Sequence, residues 1–204
     1  MSKEKKSCDA FNTALAVALF PKCLEVGMSG KYECILTFKK GSDGAKQILA
    51  EYKKAEAELY PSGIPANFAH MPLRDGDLKA YTNPETGQTE IRKGFEGCMY
   101  ITAKSHRKPF LVDPTGKQAA DPATLTHGSY VVANVNLYRW ENSGKVGLTF
   151  GLNSVQVSSV KEDLPGGSYN DPLATYGALG EPSSAGGTAD TAPITEGDLD
   201  AMFG

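Results

Sequence analysis

The sequence predicts a mainly β fold, a five-stranded barrel with one inserted α-helix, followed by a disordered acidic C-terminal tail. Short apolar or alternating segments, separated by turn residues, follow one another from residue 11 to residue 160. Only one segment has the apolar spacing of a helix, and the composition changes after Lys161. A chain of 204 residues, 40% of them hydrophobic, is long enough for one well-cored domain and an appendage.

Alternation between apolar and polar side chains predicts the strands. Residues 31–38 place Tyr32, Cys34, Leu36 and Phe38 on one face. A first strand is predicted within the apolar run at residues 14–20. Further strands are predicted at residues 98–104, 110–113, 129–140 and 146–157, with hairpin chemistry in the turns at 113–116 and 141–144.

Residues 43–60 form the predicted helix. Its apolar residues recur at helical spacing, Ser42 or Asp43 is available as N-cap, and Pro61 ends it. We expect this helix to pack on the sheet. Residues 61–94 are rich in Pro, Gly, Asn and Asp, which predicts a long connection with a hairpin around residues 83–87.

Five strands with a helix between the early and middle strands fit an oligonucleotide/oligosaccharide-binding (OB) barrel best. A β-sandwich stays open, because strand count alone does not separate the two folds. No stretch approaches the roughly 20 apolar residues of a membrane-spanning helix, and the N-terminal apolar run is too short for a signal peptide. The spacings of the four cysteines predict reduced thiols rather than a metal knuckle or a disulfide scaffold.

Charge divides the chain into two parts. Residues 1–161 contain all 21 Lys and Arg residues and 16 acidic residues, a net charge of +5, whereas residues 162–204 contain eight acidic residues and no base. The second part is also rich in small residues, which predicts a disordered tail of charge −8 after a folded domain. Near its end, acidic and apolar residues alternate, a pattern typical of a docking motif; the residues concerned include Asp198, Asp200 and Phe203.

The predicted 129–140 strand has one apolar face, which we expect in the core, and a second face that mixes aromatic and polar residues. This second face is too polar for a core and too aromatic for a surface without a binding role. A similar face occurs on the 98–104 strand, and basic residues follow it. Aromatic rings stack on unpaired bases and cations neutralise phosphates, so these strands predict a single-strand binding groove. The candidate stacking residues are Tyr100, Tyr138 and Trp140, and the candidate phosphate contacts are Lys104, Arg107, Lys108 and Arg139. Packing under a helix or loop is the alternative for the aromatic residues, and a structural ion pair is the alternative for Arg139. For Lys104, Arg107 and Lys108 the alternative is a solvated basic turn.

Catalysis finds less support in the sequence. The three histidines are scattered, and neither a paired-histidine metal motif nor a phosphate-binding glycine loop occurs, so we expect no metal and no cofactor. The alternative function is a magnesium-dependent nuclease that uses the loop carboxylates Asp75, Asp77 or Asp113. A third possibility is an interaction protein whose tail binds a partner and whose body does not touch DNA.

Six segments occur in the order found in one bacteriophage family: PLRDGD at 72–77, GCMYITAKS at 97–105, PFLVD at 109–113, GSYV at 128–131, NLY at 136–138 and GLNSVQ at 151–156. Over residues 17–157 the chain thereby resembles the phage single-stranded-DNA-binding proteins, a family first described as a phage domain of unknown function. The resemblance implies an OB barrel that coats single-stranded DNA during phage replication or recombination, in the cytoplasm of the infected bacterial host. It further implies an acidic tail that competes for the DNA groove and recruits partners such as a DNA polymerase.

Overall fold

The computed structural model describes residues 6–69, 71–117 and 125–161. The predicted tail, with Asp198, Asp200 and Phe203, lies outside the described residues. The elements are strands β1 to β10 and one α-helix, α1. In chain order they are β1 Phe11–Asn12, β2 Ala16–Lys22, β3 Tyr32–Lys39, α1 Asp43–Leu59, β4 Leu73–Asp75, β5 Ala80–Thr82, β6 Thr89–Ile91, β7 Cys98–Ser105, β8 Phe110–Val112, β9 Ser129–Asn142 and β10 Lys145–Lys161.

Five of these strands close into a ring. Strand β2 pairs with β3, β3 with β7, β7 with β10, β10 with β9, and β9 returns to β2. All of these pairings are antiparallel except that of β7 with β10, where Ala103 lies opposite Phe150. The ring confirms the predicted five-stranded OB-type barrel and excludes the sandwich, since two packed sheets would not close on each other.

The core lies inside the ring and continues under α1. Alternate residues of β9, from Val131 to Leu137, are at most 1% exposed, as the sequence predicts. Ile48, Tyr52 and Ala55 of α1 belong to the same apolar cluster, so the helix packs on the barrel as expected. The Ser42 hydroxyl caps the helix by accepting a hydrogen bond of 3.2 Å from the amide of Ala45.

The connection after α1 covers part of the outside of the barrel. Its β5–β6 hairpin confirms the predicted turn, with Ala80 opposite Ile91. After the hairpin, Phe95 is 1% exposed and forms a second apolar cluster with Leu19 and Tyr100. The outer surface of β2 and the first half of β7 is therefore covered by Ile91, at the end of the predicted 61–94 connection, and by Phe95 just after it.

Lys40, Asp75 and Asp77 form an ionic clip that holds the start of the covering segment, here called the cover. The Lys40 ammonium lies 2.6 Å from a carboxylate oxygen of Asp75 and 2.6 Å from one of Asp77. Asp77 also accepts a hydrogen bond of 2.7 Å from the amide of Gly97, at the far end of the cover. Both aspartates have a lowered pKa because the Lys40 ammonium donates to them, and backbone amides add to the effect.

Cys23 and Cys34 are buried free thiols, and the hydrogen bond with Cys23, together with burial, raises the pKa of Cys34. This keeps Cys34 in the thiol form.

In the part of the chain that the structure describes, no helix combines the length and the apolar character needed to cross a membrane.

We predict that Lys40→Met lowers the thermal stability at neutral pH and flattens its acid dependence. A carboxyl whose pKa is lowered by folding stabilises the fold above its ordinary value of 3.8, and this contribution is lost as the pH falls through the lower folded value. Without Lys40, both carboxylates lose the largest cause of that shift, although the backbone amides remain. Circular dichroism melts between pH 7 and pH 2.5 measure the difference, with Lys79→Met at an exposed lysine as the control. Parallel pH profiles of the Lys40 variant and the wild type would contradict the clip.

Candidate nucleic-acid interface

An open groove of about 620 Å³ lies on the uncovered outer surface, where β7, β9 and β10 meet. Three of the predicted site residues, Lys104, Tyr138 and Trp140, line it together. The full lining comprises Lys31, Pro72, Arg74, Thr102, Lys104, His106, Tyr138, Trp140, Glu141, Asn142, Leu148 and Thr149. Aromatic rings, hydroxyls and cations therefore share one concave surface.

Strand alternation aims the two aromatic residues into the groove. Leu137 faces the core, so alternation along β9 turns Tyr138 and Trp140 to the outer side. Both side chains are half-buried there. Burial raises the pKa of Tyr138. The phenol therefore keeps its proton at neutral pH and can donate a hydrogen bond.

Glycines on β10 form the floor beneath these side chains. Gly147 lies opposite Trp140, and Gly151 lies opposite Asn136. A Cβ atom at Gly147 would be 2.7 Å from Cζ2 and 2.9 Å from Nε1 of the indole, so the ring rests against the backbone itself. A Cβ atom at Gly151 would be 2.5 Å from Oδ1 of Asn136. Both glycines leave space that the side chains across the hairpin occupy.

The cations of the groove differ in their surroundings. The Lys104 ammonium lies 3.1 Å from a carboxylate oxygen of Glu33, which also accepts a 3.0 Å hydrogen bond from the Ser29 hydroxyl. Lys104 is therefore partly neutralised. Lys31 and Arg74 also line the groove. Sequence reasoning missed both, because no local pattern places the start of the predicted 31–38 strand or the predicted 61–94 connection beside the 129–140 strand.

Two predicted residues lie away from the groove. Tyr100 is on the predicted face, but it is only 5% exposed because Phe95 packs edge-on against it, with ring centroids 5.0 Å apart. The Arg139 guanidinium lies on the other side of β9, 5.2 Å from the centre of the Tyr60 ring. A base could reach Tyr100 only if the segment that contains Phe95 moved, and the Arg139 guanidinium faces the Tyr60 ring instead of the groove.

Arg107 and Lys108 occupy the loop between β7 and β8. Both are exposed, whereas their neighbour His106 lines the groove. The amide of Arg107 donates a 3.1 Å hydrogen bond to the Ser105 hydroxyl, which fixes the turn. The two cations therefore flank the groove rather than line it.

The carboxylates of the nuclease alternative have structural partners. Asp75 and Asp77 bind Lys40, as described above. Asp113 accepts hydrogen bonds of 2.7 Å from the Thr115 hydroxyl, 2.9 Å from the Lys117 amide and 2.8 Å from the Thr115 amide. The hydroxyl is the largest cause of its lowered pKa, the amides add to the effect, and all three bonds hold its turn. Among the described residues, no three His, Cys, Asp or Glu side chains come together as a metal site.

We predict that Gly147→Ala displaces the indole of Trp140, because a real Cβ cannot lie 2.7 Å from the ring. The chain contains one tryptophan, so intrinsic fluorescence reports on this residue alone. We expect a red shift of the emission maximum and stronger quenching by acrylamide. Gly151→Ala is the matched control, since the same change on the same strand meets Asn136 instead. An unchanged spectrum in Gly147→Ala would show that the ring does not depend on the glycine floor.

The chain is similar to proteins of known function. A family model described as "Enterobacter phage Enc34, ssDNA-binding protein" matches residues 15–173. The solved single-stranded DNA-binding protein from bacteriophage Enc34 is similar, with 19% identity, a TM-score of 0.59, and coverage of 82% of this chain and 89% of that chain. Its complex with ssDNA gives 20% identity, a TM-score of 0.58, and coverage of 78% and 89%.

A second phage protein shares the fold. The chain is similar to gp2.5, a single-stranded DNA-binding protein encoded by bacteriophage T7, with 15% identity and a TM-score of 0.54. The match covers 76% of this chain and 94% of that chain. No curated protein matches the chain.

Proposed function

The chain belongs to the family of the Enterobacter phage Enc34 ssDNA-binding protein, and from this premise we propose how it binds and what it does. It coats and protects single-stranded DNA, independently of sequence, during phage DNA replication and recombination in the host cytoplasm. It acts as a binding protein and not as an enzyme. The observation that carries the proposal is the groove in which Trp140 and Tyr138 lie among Lys31, Arg74 and Lys104.

The two aromatic rings supply the affinity for bases. Every base has a π-face, so stacking is tolerant of sequence and contributes roughly 1–3 kcal/mol per base. In a duplex these faces are already stacked on neighbouring pairs, which makes an unpaired strand the better ligand. The open groove accepts an extended chain rather than a buried small molecule.

The cations supply the attraction for the phosphates. Lys31 and Arg74 add positive charge to the groove, and Lys104 can exchange its contact with Glu33 for a phosphate oxygen. Arg107 and Lys108 extend the basic surface beyond the groove. We leave Tyr100 and Arg139 out of the proposed interface, because the first is covered by Phe95 and the second packs on Tyr60.

We predict that Trp140→Ala weakens binding of labelled oligo-dT by roughly 1–3 kcal/mol, because one stacking ring is removed. Fluorescence anisotropy across a salt series measures it, and a melt confirms that the variant is folded. Trp140→Phe, which keeps a ring at the same place, should retain most of the affinity. Equal affinity of wild type and Trp140→Ala at every salt concentration would remove Trp140 from the interface.

The same titrations separate the alternative functions. Failure of the wild-type protein to bind any oligonucleotide at low salt would favour an interaction protein. Cleavage of labelled DNA in the presence of magnesium would favour a nuclease.

The acidic tail has a regulatory role in this proposal. Residues 162–204 carry a charge of −8 and are tethered to a body of charge +5, so their effective concentration near the groove is high. The tail competes with DNA for the cations while the groove is empty. Once DNA displaces it, Asp198, Asp200 and Phe203 are free to recruit a replication partner such as a DNA polymerase.

We predict that a chain of residues 1–161 binds single-stranded DNA more tightly than the full chain and discriminates less against duplex. The matched control is the full-length chain with its eight tail carboxylates replaced by amides, which keeps the length and removes the charge. Both proteins should lose their advantage at high salt, because screening weakens the competition. Unchanged affinity of both proteins at low salt, on both substrates, would remove the competitor role.

A further inference from the structure

Phe110 is the most exposed aromatic side chain of the described residues, at 67%. It lies on β8, the short strand at one end of the sheet path. A single exposed apolar residue is common on protein surfaces and needs no explanation by itself. The inference rests on the residues around Phe110.

The backbone of Phe110 is held firmly although its ring is exposed. Pro109 and Leu111 on either side are buried. Strand β8 pairs in parallel with β10, Phe110 lying opposite Ser154, and the Gln156 side chain donates a 3.3 Å hydrogen bond to the carbonyl of Asp113. The ring therefore projects from a fixed position, which reduces the ordering entropy lost when a ligand binds.

Phe110 faces the same side of the sheet as the groove. Leu111 and its partner Val155 point into the core, so Phe110 and Ser154 point outward. On β10, Gly147 and Gly151 also lie on the outward surface, where they meet Trp140 and Asn136. The bulge between Leu152 and Ser154 inserts one extra residue, Asn153, and so brings Ser154 onto the same outward surface. Trp140 and Phe110 thus mark two ends of one outer surface, with Gly147 and Ser154 about 20 Å apart along β10.

The surface between the two rings is polar. Asn153 donates a 3.0 Å hydrogen bond to Asn134 and a 3.4 Å hydrogen bond to Asn136, and Asn136 donates a 2.9 Å hydrogen bond to the Ser7 hydroxyl. These amide side chains are short and are hydrogen-bonded to one another. An extended strand that leaves the groove along β10 would pass over these amides before it reaches Phe110.

Two cationic residues lie close to Phe110 in the sequence. Arg107 and Lys108 precede it by three and two residues, are exposed, and form no ion pair within the described part of the chain. A ring next to two cations matches a nucleotide, which presents a π-face and a phosphate together. A second copy of this chain is the other occupant to consider, because β8 is an edge strand, but the paired cations would repel their own copies.

We propose that Phe110, with Arg107 and Lys108, forms a second stacking subsite for an unpaired base of the same DNA strand. The proposal rests on the proposed function and adds a site to it. The groove at Trp140 engages a short oligonucleotide alone, whereas the Phe110 subsite is reached only by a longer one. Site sizes of about 4–16 nucleotides for OB folds leave room for both arrangements.

Strand length tests the subsite in the full-length protein. Anisotropy titrations compare wild type and Phe110→Ala on dT4 and on dT16. We expect Phe110→Ala to lose roughly 5- to 150-fold affinity for dT16, equivalent to the stacking of one base, and to match the wild type on dT4. Phe110→Trp should restore binding of dT16, and Leu78→Ala, at another exposed apolar residue, is the matched control.

The salt dependence of binding tests the contribution of Arg107 and Lys108. Arg107→Gln with Lys108→Gln should make the log–log salt slope on dT16 shallower by about 0.7 for each phosphate that is no longer neutralised, and leave the dT4 slope unchanged.

Three results would overturn the subsite. One is wild-type affinity of Phe110→Ala for dT16, and another is an equal loss of affinity on dT4 and dT16. The third is a change of mass in sedimentation without a change in DNA affinity, which would make Phe110 a contact between copies of the chain. Failure of the wild type to bind either oligonucleotide would instead overturn the proposed function, and so is distinguishable from failure of the subsite alone.

Discussion

The long antiparallel pairing of β9 with β10 is the constraint on which the barrel and the groove both depend. Its register is set by the two-residue turn Ser143–Gly144, in which both residues have positive φ, 50° and 72°. Such a turn matches the twist of the flanking strands and fixes Asn142 opposite Lys145. From that pair each residue has a defined partner and side as far as Leu152 opposite Val135, where a bulge at Asn153 shifts the register by one residue. A slip of one residue would turn the core outward and bury the groove residues.

Much of this arrangement is readable from the sequence, because alternation reports directly which side a residue takes. The inward residues of β9, the helix over 43–59 and the outward Trp140 and Tyr138 follow from period and turn chemistry alone. Alternation is silent about what covers an outward side chain. Tyr100 shows this limit, since its strand face is as predicted and yet Phe95, from the connection before β7, closes over it.

The rest of the groove is assembled by tertiary structure. Lys31 and Arg74 come from segments whose positions depend on how β3 and β4 dock against β7, which no local pattern encodes. Gly147 is a different case. Once the Ser143–Gly144 turn is accepted as a two-residue hairpin, counting outward places Gly147 opposite Trp140. The signal for the glycine floor was therefore present in the sequence, in the register rather than in the composition.

The glycine floor also shows how binding and stability are divided between the two sides of one hairpin. Glycine within a strand costs roughly 0.5–1 kcal/mol relative to alanine, and Gly147 and Gly151 both occupy such positions. The inward side of the same strand offsets this cost, because Leu148, Phe150 and Leu152 are at most 2% exposed. The outward side is thereby free to be flat enough for an indole to lie against the backbone. Since every second residue serves the core, the surface that meets the ligand can depart from good strand composition without unfolding the barrel.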